Sequence, residues 1–331
     1  MFASVDDVIS RLGDQGYICD KNIATVVFLA QQLQKPVLVE GPAGVGKTEL
    51  AKVVSAALGQ DMIRLQCYEG LDEAKALYEW EYSKQLLYTQ ILKDRFAEAM
   101  EDAKTMAEAA DRVGREDTVF FSDRFIVARP LMAAITAENP TLLLIDEVDK
   151  SDPEFEAFLL EVLSDFQVTV PEIGTFKAKR VPLVFLTSND AREMSDALKR
   201  RCLHLWIDYP SADLEVSILD TKIPGIEQRL AEDVVELMNK IRDLDLKKRP
   251  SISETLDWAR ALLALNAGTI EEEIVSDTLN VILKYEGDVK KAQSELGKLI
   301  DKKSAQIASE GPQGEEAPKP ASGNAKKGVL H

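Results

Sequence analysis

The chain has 331 residues, 45 % of them hydrophobic, with 40 Lys and Arg against 57 Asp and Glu for a net charge of −17. That length holds one large core and a smaller second one. No stretch reaches the roughly 18 unbroken apolar residues of a membrane helix, and the acidic balance repels a polyphosphate backbone, which disfavours nucleic acid as a partner.

The opening M-F-A-S-V-D-D-V lacks the basic and apolar regions of a signal peptide, so a cytoplasmic location with no membrane partner is expected. Cys19, Cys67 and Cys202 are too scattered for a disulfide framework or zinc-ligand spacing.

Apolar β-type runs recur at Val37–Glu40, Ile63–Cys67, Leu142–Ile145, Leu183–Thr187 and Leu203–Ile207, separated mostly by helical periodicity. This βαβ grammar predicts an α/β domain over residues 1–210, built on a parallel five-stranded sheet flanked by helices. The runs at Leu142 and Leu183 are apolar at nearly every position, as strands covered on both faces require.

Directly after the first run, Gly41-Pro42-Ala43-Gly44-Val45-Gly46-Lys47-Thr48 follows the G-x-x-x-x-G-K-[ST] pattern of a phosphate-binding loop. Glycines at 41, 44 and 46 let the backbone curl its N–H groups around phosphate oxygens. Lys47 supplies a mobile positive charge. The Thr48 hydroxyl, at the first turn of a helix expected through Glu49 to Leu58, suits a Mg²⁺ ligand. The nucleotide-binding set is this loop together with Glu49.

A charged stretch from Glu69 to Glu116 places Leu92, Phe96, Met100, Ala103, Met106, Ala107 and Ala110 at helical spacing. One or two helices are expected there, either as a solvated amphipathic face or as a surface for a neighbour.

Leu142-Leu143-Leu144-Ile145-Asp146-Glu147 then sets two carboxylates at the carboxyl end of a strand, where open α/β sheets bind ligands. Asp146 suits Mg²⁺, and Glu147 suits the base that polarises the water attacking a γ-phosphate.

Ser151-Asp152-Pro153 carries the cap-then-proline signature of a helix start leading into Glu154–Leu163, and Val168 to Phe176 reads as a hairpin projecting from the sheet. Asn189, tipping the Leu183 run, suits either turn geometry or positioning of the attacking water. Lys199-Arg200-Arg201 places cations where a neighbouring subunit's γ-phosphate is in reach, or where a helix end favours positive charge. Cys202, beside Leu203 and His204, reads as a core cysteine rather than a metal ligand.

Beyond Pro210 only helical patterns remain, at Asp213–Leu219, Ala231–Leu244, Ser253–Leu265 and Glu271–Ile300, so a small all-α lid is expected over residues 211–303. Residues 304–331 have almost no large apolar side chains and are expected to form a disordered tail.

In this order the phosphate loop, Asp-Glu strand, hairpin, Asn-tipped strand, double arginine and helical lid resemble the AAA+ ATPases over about Val5 to Ile300. The hairpin after the helix that follows Glu147, with Arg129-Pro130-Leu131, is similar to the MoxR branch. Cys67-Tyr68-Glu69-Gly70-Leu71-Asp72-Glu73 through Tyr78-Glu79-Trp80, with Glu254-Thr255-Leu256-Asp257-Trp258-Ala259, most resembles the CoxD-type accessory ATPases of carbon monoxide dehydrogenase gene clusters.

The resemblance implies an ATP-driven homo-oligomeric ring, usually a hexamer, working with a von Willebrand factor A domain protein to mature a metalloenzyme client. It further implies Lys47 and Thr48 as nucleotide and metal contacts, Asp146 as metal holder and Glu147 as catalytic base. Asn189 becomes the γ-phosphate sensor, and Arg200 or Arg201 the finger. Two departures stand out. The second sensing arginine of many relatives aligns with Ser253, leaving that contact absent or supplied by Arg249, and the 69–116 segment is longer than in typical MoxR proteins.

Guanine recognition would need N-K-x-D, and Asn239-Lys240-Ile241-Arg242 lacks the aspartate, so ATP is favoured. Two alternatives accompany this reading: a nucleotide-gated scaffold with little turnover, and a nucleic-acid remodeller of the same fold.

Overall fold

The computed structural model describes residues 1–88, 90, 105, 125–170 and 173–300. Helices α1 (Val5–Asp14) and α2 (Lys21–Leu33) lead into β1 (Val37–Glu40), α3 (Lys47–Leu58) and β2 (Asp61–Gln66). Short α4 (Glu73–Leu77) then precedes the antiparallel pair β3 (Tyr78–Trp80) and β4 (Ile126–Ala128). After α5 (Pro130–Thr136) come β5 (Thr141–Asp146), a 3₁₀ turn at Val148–Lys150, and α6 (Pro153–Asp165). The hairpin β6 (Gln167–Val170) and β7 (Gly174–Lys177), then β8 (Leu183–Ser188), α7 (Asp196–Arg201) and β9 (Leu203–Trp206), complete the α/β part.

The main sheet has the order β2-β5-β8-β1-β9, with every neighbour pair parallel. Every residue of β1 and β5 is buried, and the two-residue period sorts their side chains onto opposite faces. Leu142 and Leu144 pack with Val37, Val39 and Phe185 against the α1 to α3 side, whereas Leu143 and Ile145 pack with Leu38 and Leu186 against α5 and α6. Parallel register brings the carboxyl ends to one edge, with Gln66 paired to Asp146 and Glu40 paired to Ser188 and Trp206.

Cys67 and Cys202 belong to the α5–α6 side of this core, and burial pushes both thiols up to about 12, so they stay protonated and inert at neutral pH. His204 instead faces Glu40 on the adjacent strand, Nε2 to Oε2 at 2.5 Å.

The helix after the acidic couplet begins at Pro153, but not through the expected cap. Asp152 makes no side-chain cap bond; its Oδ2 accepts from the Gly70 N–H at 3.1 Å, and the Ser151 hydroxyl donates to the Val148 carbonyl at 2.7 Å. Both side chains are taken by the loops that flank the couplet. The β6–β7 ribbon is a sheet of its own, with Val168 and Val170 in the core and Thr169 outward against Thr175. Pro171 and Glu172 of its turn lie outside the described residues, as do nearly all of the helical pattern from Leu92 to Ala110 and the tail at 304–331.

Among the described residues five helices follow: α8 (Ala212–Lys222), α9 (Gln228–Arg242), α10 (Ile252–Ala264), α11 (Glu272–Ile282) and α12 (Glu286–Leu299). They share a separate apolar cluster around the fully buried Trp258, whose indole N–H donates to Thr278 Oγ1 at 2.8 Å.

The single helix expected over Glu271–Ile300 is two, because the backbone turns extended at Leu283 and Tyr285. Lys284 Nζ donates to the Asn280 and Val281 carbonyls left open at that break. Both halves turn apolar faces to the cluster, so helical periodicity continues in sequence across the break. Among the described residues no helix is long and apolar enough to cross a membrane.

Candidate nucleotide site

The loop between β1 and α3 rests on three glycines with left-handed backbone, φ being 148° at Gly41, 76° at Gly44 and 100° at Gly46. Two of them are also crowded. A Cβ on Gly41 would sit 1.9 Å from the Ile207 carbonyl oxygen, and one on Gly44 would sit 2.1 Å from Ser251 Oγ. These glycines therefore admit β9's exit and the start of α10 in the C-terminal helical region to close contact with the loop, a demand separate from phosphate binding. A Cβ on Gly46 would meet the Tyr17 ring at an ordinary 3.9 Å, and only its φ as the N-cap of α3 calls for glycine.

Lys47 is buried, and its ammonium donates to the Gly41 and Pro42 carbonyls at 2.8 and 2.6 Å. Burial pulls its pKa down to about 8, against the opposing pull of Asp149, Asp146 and Glu147. The loop lysine thus lies in the field of the acidic couplet.

Thr48 makes the link explicit, its Oγ1 donating to Asp146 Oδ1 at 2.9 Å across 98 positions of sequence. The same Asp146 oxygen accepts from Thr187 Oγ1 at 2.5 Å, and Asp146 Oδ2 receives Arg64 Nη2 at 2.5 Å.

Glu147 has left-handed backbone, φ 57°, which a non-glycine residue adopts only under local constraint. Its N–H donates to Thr187 Oγ1 at 2.9 Å. Oε2 accepts from Gln66 Nε2 at 2.8 Å and Lys150 Nζ at 2.7 Å, and Oε1 accepts from Asn189 Nδ2 at 3.1 Å. The backbone N–H groups of Asn189 and Ala191 both donate to Asp149 Oδ2 at 3.1 Å, which ties the tip of β8 to the turn after β5.

Lys47, Thr48, Asp146, Glu147 and Asn189 therefore meet at one edge of the sheet. Arg200 and Arg201 do not join them within this chain. Both are exposed on α7, and Arg201 Nε donates to Ser164 Oγ at 2.7 Å. Among the described residues no hydrogen bond or ion pair connects either arginine to the loop or the couplet.

Sequence reasoning missed Arg64, Gln66, Lys150 and Thr187. A signal existed for the first two: polar residues at i and i+2 near the carboxyl end of β2 share one face beside the couplet's strand.

A cleft of about 700 Å³ opens beside the loop, meeting it at Gly44, Val45, Gly46 and Glu49. Tyr17 and Ile18 line one side, and Tyr209, Ser253 and Leu256 another. Its volume lies within the roughly 300–1,000 Å³ of small-molecule sites. The cations on its wall are Lys222, paired with Glu49 at 3.1 Å, and Arg260; Arg249 does not line it.

The donor set fits magnesium with a triphosphate. Thr48 and Asp146 offer hard oxygen atoms side by side, and Lys47 brings a cation to the loop's backbone. The sheet order, the loop after β1 and the acid pair after β5 define a P-loop NTPase of the AAA+ type. Residues 36–202, half of the chain, match the AAA domain (dynein-related subfamily), and the chain belongs to that family of ATP-hydrolysing AAA+ enzymes.

Similar proteins include an uncharacterized protein of Staphylococcus haemolyticus, 26 % identical over 241 residues, covering 71 % of this chain and 78 % of that protein. Another, from Staphylococcus aureus (strain NCTC 8325), is 27 % identical over 70 % of this chain and 77 % of its own length. Among solved structures, the Thermotoga maritima RuvB Holliday junction branch migration motor matches at 16 % identity, covering 84 % of this chain and 71 % of that one, with a TM-score of 0.43. A mutant of the same motor matches at 17 % identity and a TM-score of 0.47, covering 94 % and 82 %.

Proposed function

We propose that this chain couples ATP hydrolysis to remodelling or maturation of a protein client, as a chaperone-like ATPase for the cofactor site of a metalloenzyme of the molybdenum hydroxylase or carbon monoxide dehydrogenase type. The observation that supports its chemical core is the Thr48 to Asp146 hydrogen bond together with the Asn189 to Glu147 contact. These join the loop, the acid pair and the Asn-tipped strand at one place.

Bound Mg²⁺ with ATP supplies the electrophilic phosphorus and neutralises charge on the phosphate oxygens. Lys47 and the loop N–H groups bind the phosphates, and Thr48 and Asp146 hold the metal. Glu147 takes the proton of the attacking water. Among the described residues Glu147 Oε2 accepts from Gln66 and Lys150 and its Oε1 from Asn189 alone, which leaves Oε1 an acceptor site for that water. Asn189, fixed through its backbone by Asp149, senses the γ-phosphate.

Residues 1–210 act as the nucleotide-binding unit and residues 211–303 as the lid. The exposed Arg200 or Arg201 serves as the finger for an adjacent subunit's site, in a homo-oligomeric ring taken to be a hexamer in the cytoplasm. Their solvent-facing position, away from this chain's own loop, supports a site completed between subunits. Membership of the MoxR branch, and of its CoxD type, rests on the motif resemblance and brings a von Willebrand factor A domain partner with it.

Capture of partners tests this reading. A Glu147→Gln chain loaded with ATP in extract of its native cells is expected to retain a von Willebrand factor A domain protein and a molybdenum hydroxylase, and to release both with ADP. Recovery of neither in the ATP state overturns the client assignment.

A further inference from the structure

A fully satisfied buried ion pair lies away from the acidic couplet, inside the lid. Arg242 of α9 and Glu215 of α8 are buried and form a two-pronged ion pair, Nη1 to Oε2 and Nη2 to Oε1, each at 2.7 Å. Nη1 also reaches Asn239 Oδ1 at 3.1 Å, Nη2 reaches Thr255 Oγ1 of α10 at 2.9 Å, and Nε reaches the Pro250 carbonyl at 2.9 Å. A guanidinium has five N–H donors, and each has an acceptor here.

Two of these contacts lead out of the lid's core towards the cleft. The guanidinium lies 5.3 Å from the centre of the Tyr209 ring, and Tyr209 is a wall of the cleft. The Pro250 carbonyl and Thr255, whose hydroxyl also lies 3.2 Å from the Ser251 carbonyl, hold the turn that starts α10. Ser251 caps that helix in a reciprocal capping box with Glu254, and its side chain occupies the space a Cβ on Gly44 would need. Ser253, two residues on, lines the cleft.

An apolar pair of similar volume at 242 and 215 fills the same space without the desolvation cost of a buried ion pair, but leaves the buried Pro250 carbonyl without its donor. What apolar side chains cannot reproduce is the directional grip on Pro250, Thr255 and the Tyr209 face. We propose that Arg242 and Glu215 are positioning residues for nucleotide binding, holding Tyr209 and the Ser251–Ser253 turn against the phosphate loop. This rests on the nucleotide reading above and adds that the lid's geometry sets affinity for the nucleotide rather than the chemical step.

The test uses the full chain carrying Arg242→Met with Glu215→Leu, and separately Arg242→Lys, which keeps the charge and loses the fork. Thermal unfolding, MgADP Kd by titration, and the KM and kcat of MgATP hydrolysis are read together. The double variant is expected to remain folded, with Kd and KM raised about tenfold and saturated kcat within about threefold. Arg242→Lys is expected to raise both constants by a smaller factor, and it supplies the readout if the double variant does not fold. Folded variants with wild-type Kd and KM overturn the positioning role. Wild-type protein that binds MgADP no better than Lys47→Ala overturns the nucleotide reading beneath it, a distinguishable result.

Discussion

Lys47→Ala is expected to abolish measurable binding of MgATP and MgADP while leaving the fold intact. Hydrogen bonds from a charged donor contribute about 1.5–3 kcal/mol each. Two such bonds to phosphate oxygens correspond to roughly a 10²- to 10⁴-fold loss of affinity.

The fold survives because Lys47 is no structural keystone. Its ammonium is buried against two carbonyls of its own loop, and burial pulls its pKa down to about 8 even against the raising pull of Asp149, Asp146 and Glu147, so the charge is held at a desolvation cost. Calorimetric titration alongside circular dichroism checks both halves. A folded variant with affinity within threefold of wild type, about 0.7 kcal/mol, contradicts the role given to this lysine.

Glu147→Gln is expected to keep nucleotide affinity and lose turnover by about 10²- to 10⁴-fold, the range that a positioned general base contributes. The amide is nearly isosteric and still offers one oxygen to the Asn189 or Gln66 side chain, so the surroundings need little repacking. Lys150 loses its ion partner, but it is half exposed, where such pairs are worth only about 0–1 kcal/mol. Steady-state phosphate release from the assembled protein decides the point. Equal release from variant and wild type would leave a nucleotide-gated scaffold as the surviving account.

Much of this architecture is legible in the sequence alone, for specific physical reasons. The Leu142 and Leu183 runs read as buried strands because a strand covered on both faces cannot afford a polar position in its middle. The loop was legible because its glycines and lysine are contiguous, and the couplet because it directly follows an apolar strand.

Other features depend on tertiary neighbours. Gln66 meets Glu147 only through the β2–β5 register, and Gly44 is crowded by Ser251, more than 200 residues later. The Ser151-Asp152-Pro153 signature located a real helix start but misassigned the side chains, which bind Val148 and Gly70 instead. The break at Leu283–Tyr285 was hidden because both flanking helices share the period that buries one face. The Arg242–Glu215 network joins three helices, and no short spacing in the chain announces it.

The most direct test of the shared site is the structure of the Glu147→Gln protein with MgATP bound. The account predicts the triphosphate wrapped by Gly41 to Thr48, Lys47 Nζ moved from the Gly41 and Pro42 carbonyls onto phosphate oxygens, and the metal beside Thr48 and Asp146. A triphosphate bound elsewhere, with Lys47 still on those carbonyls and Thr48 still donating to Asp146, would contradict it.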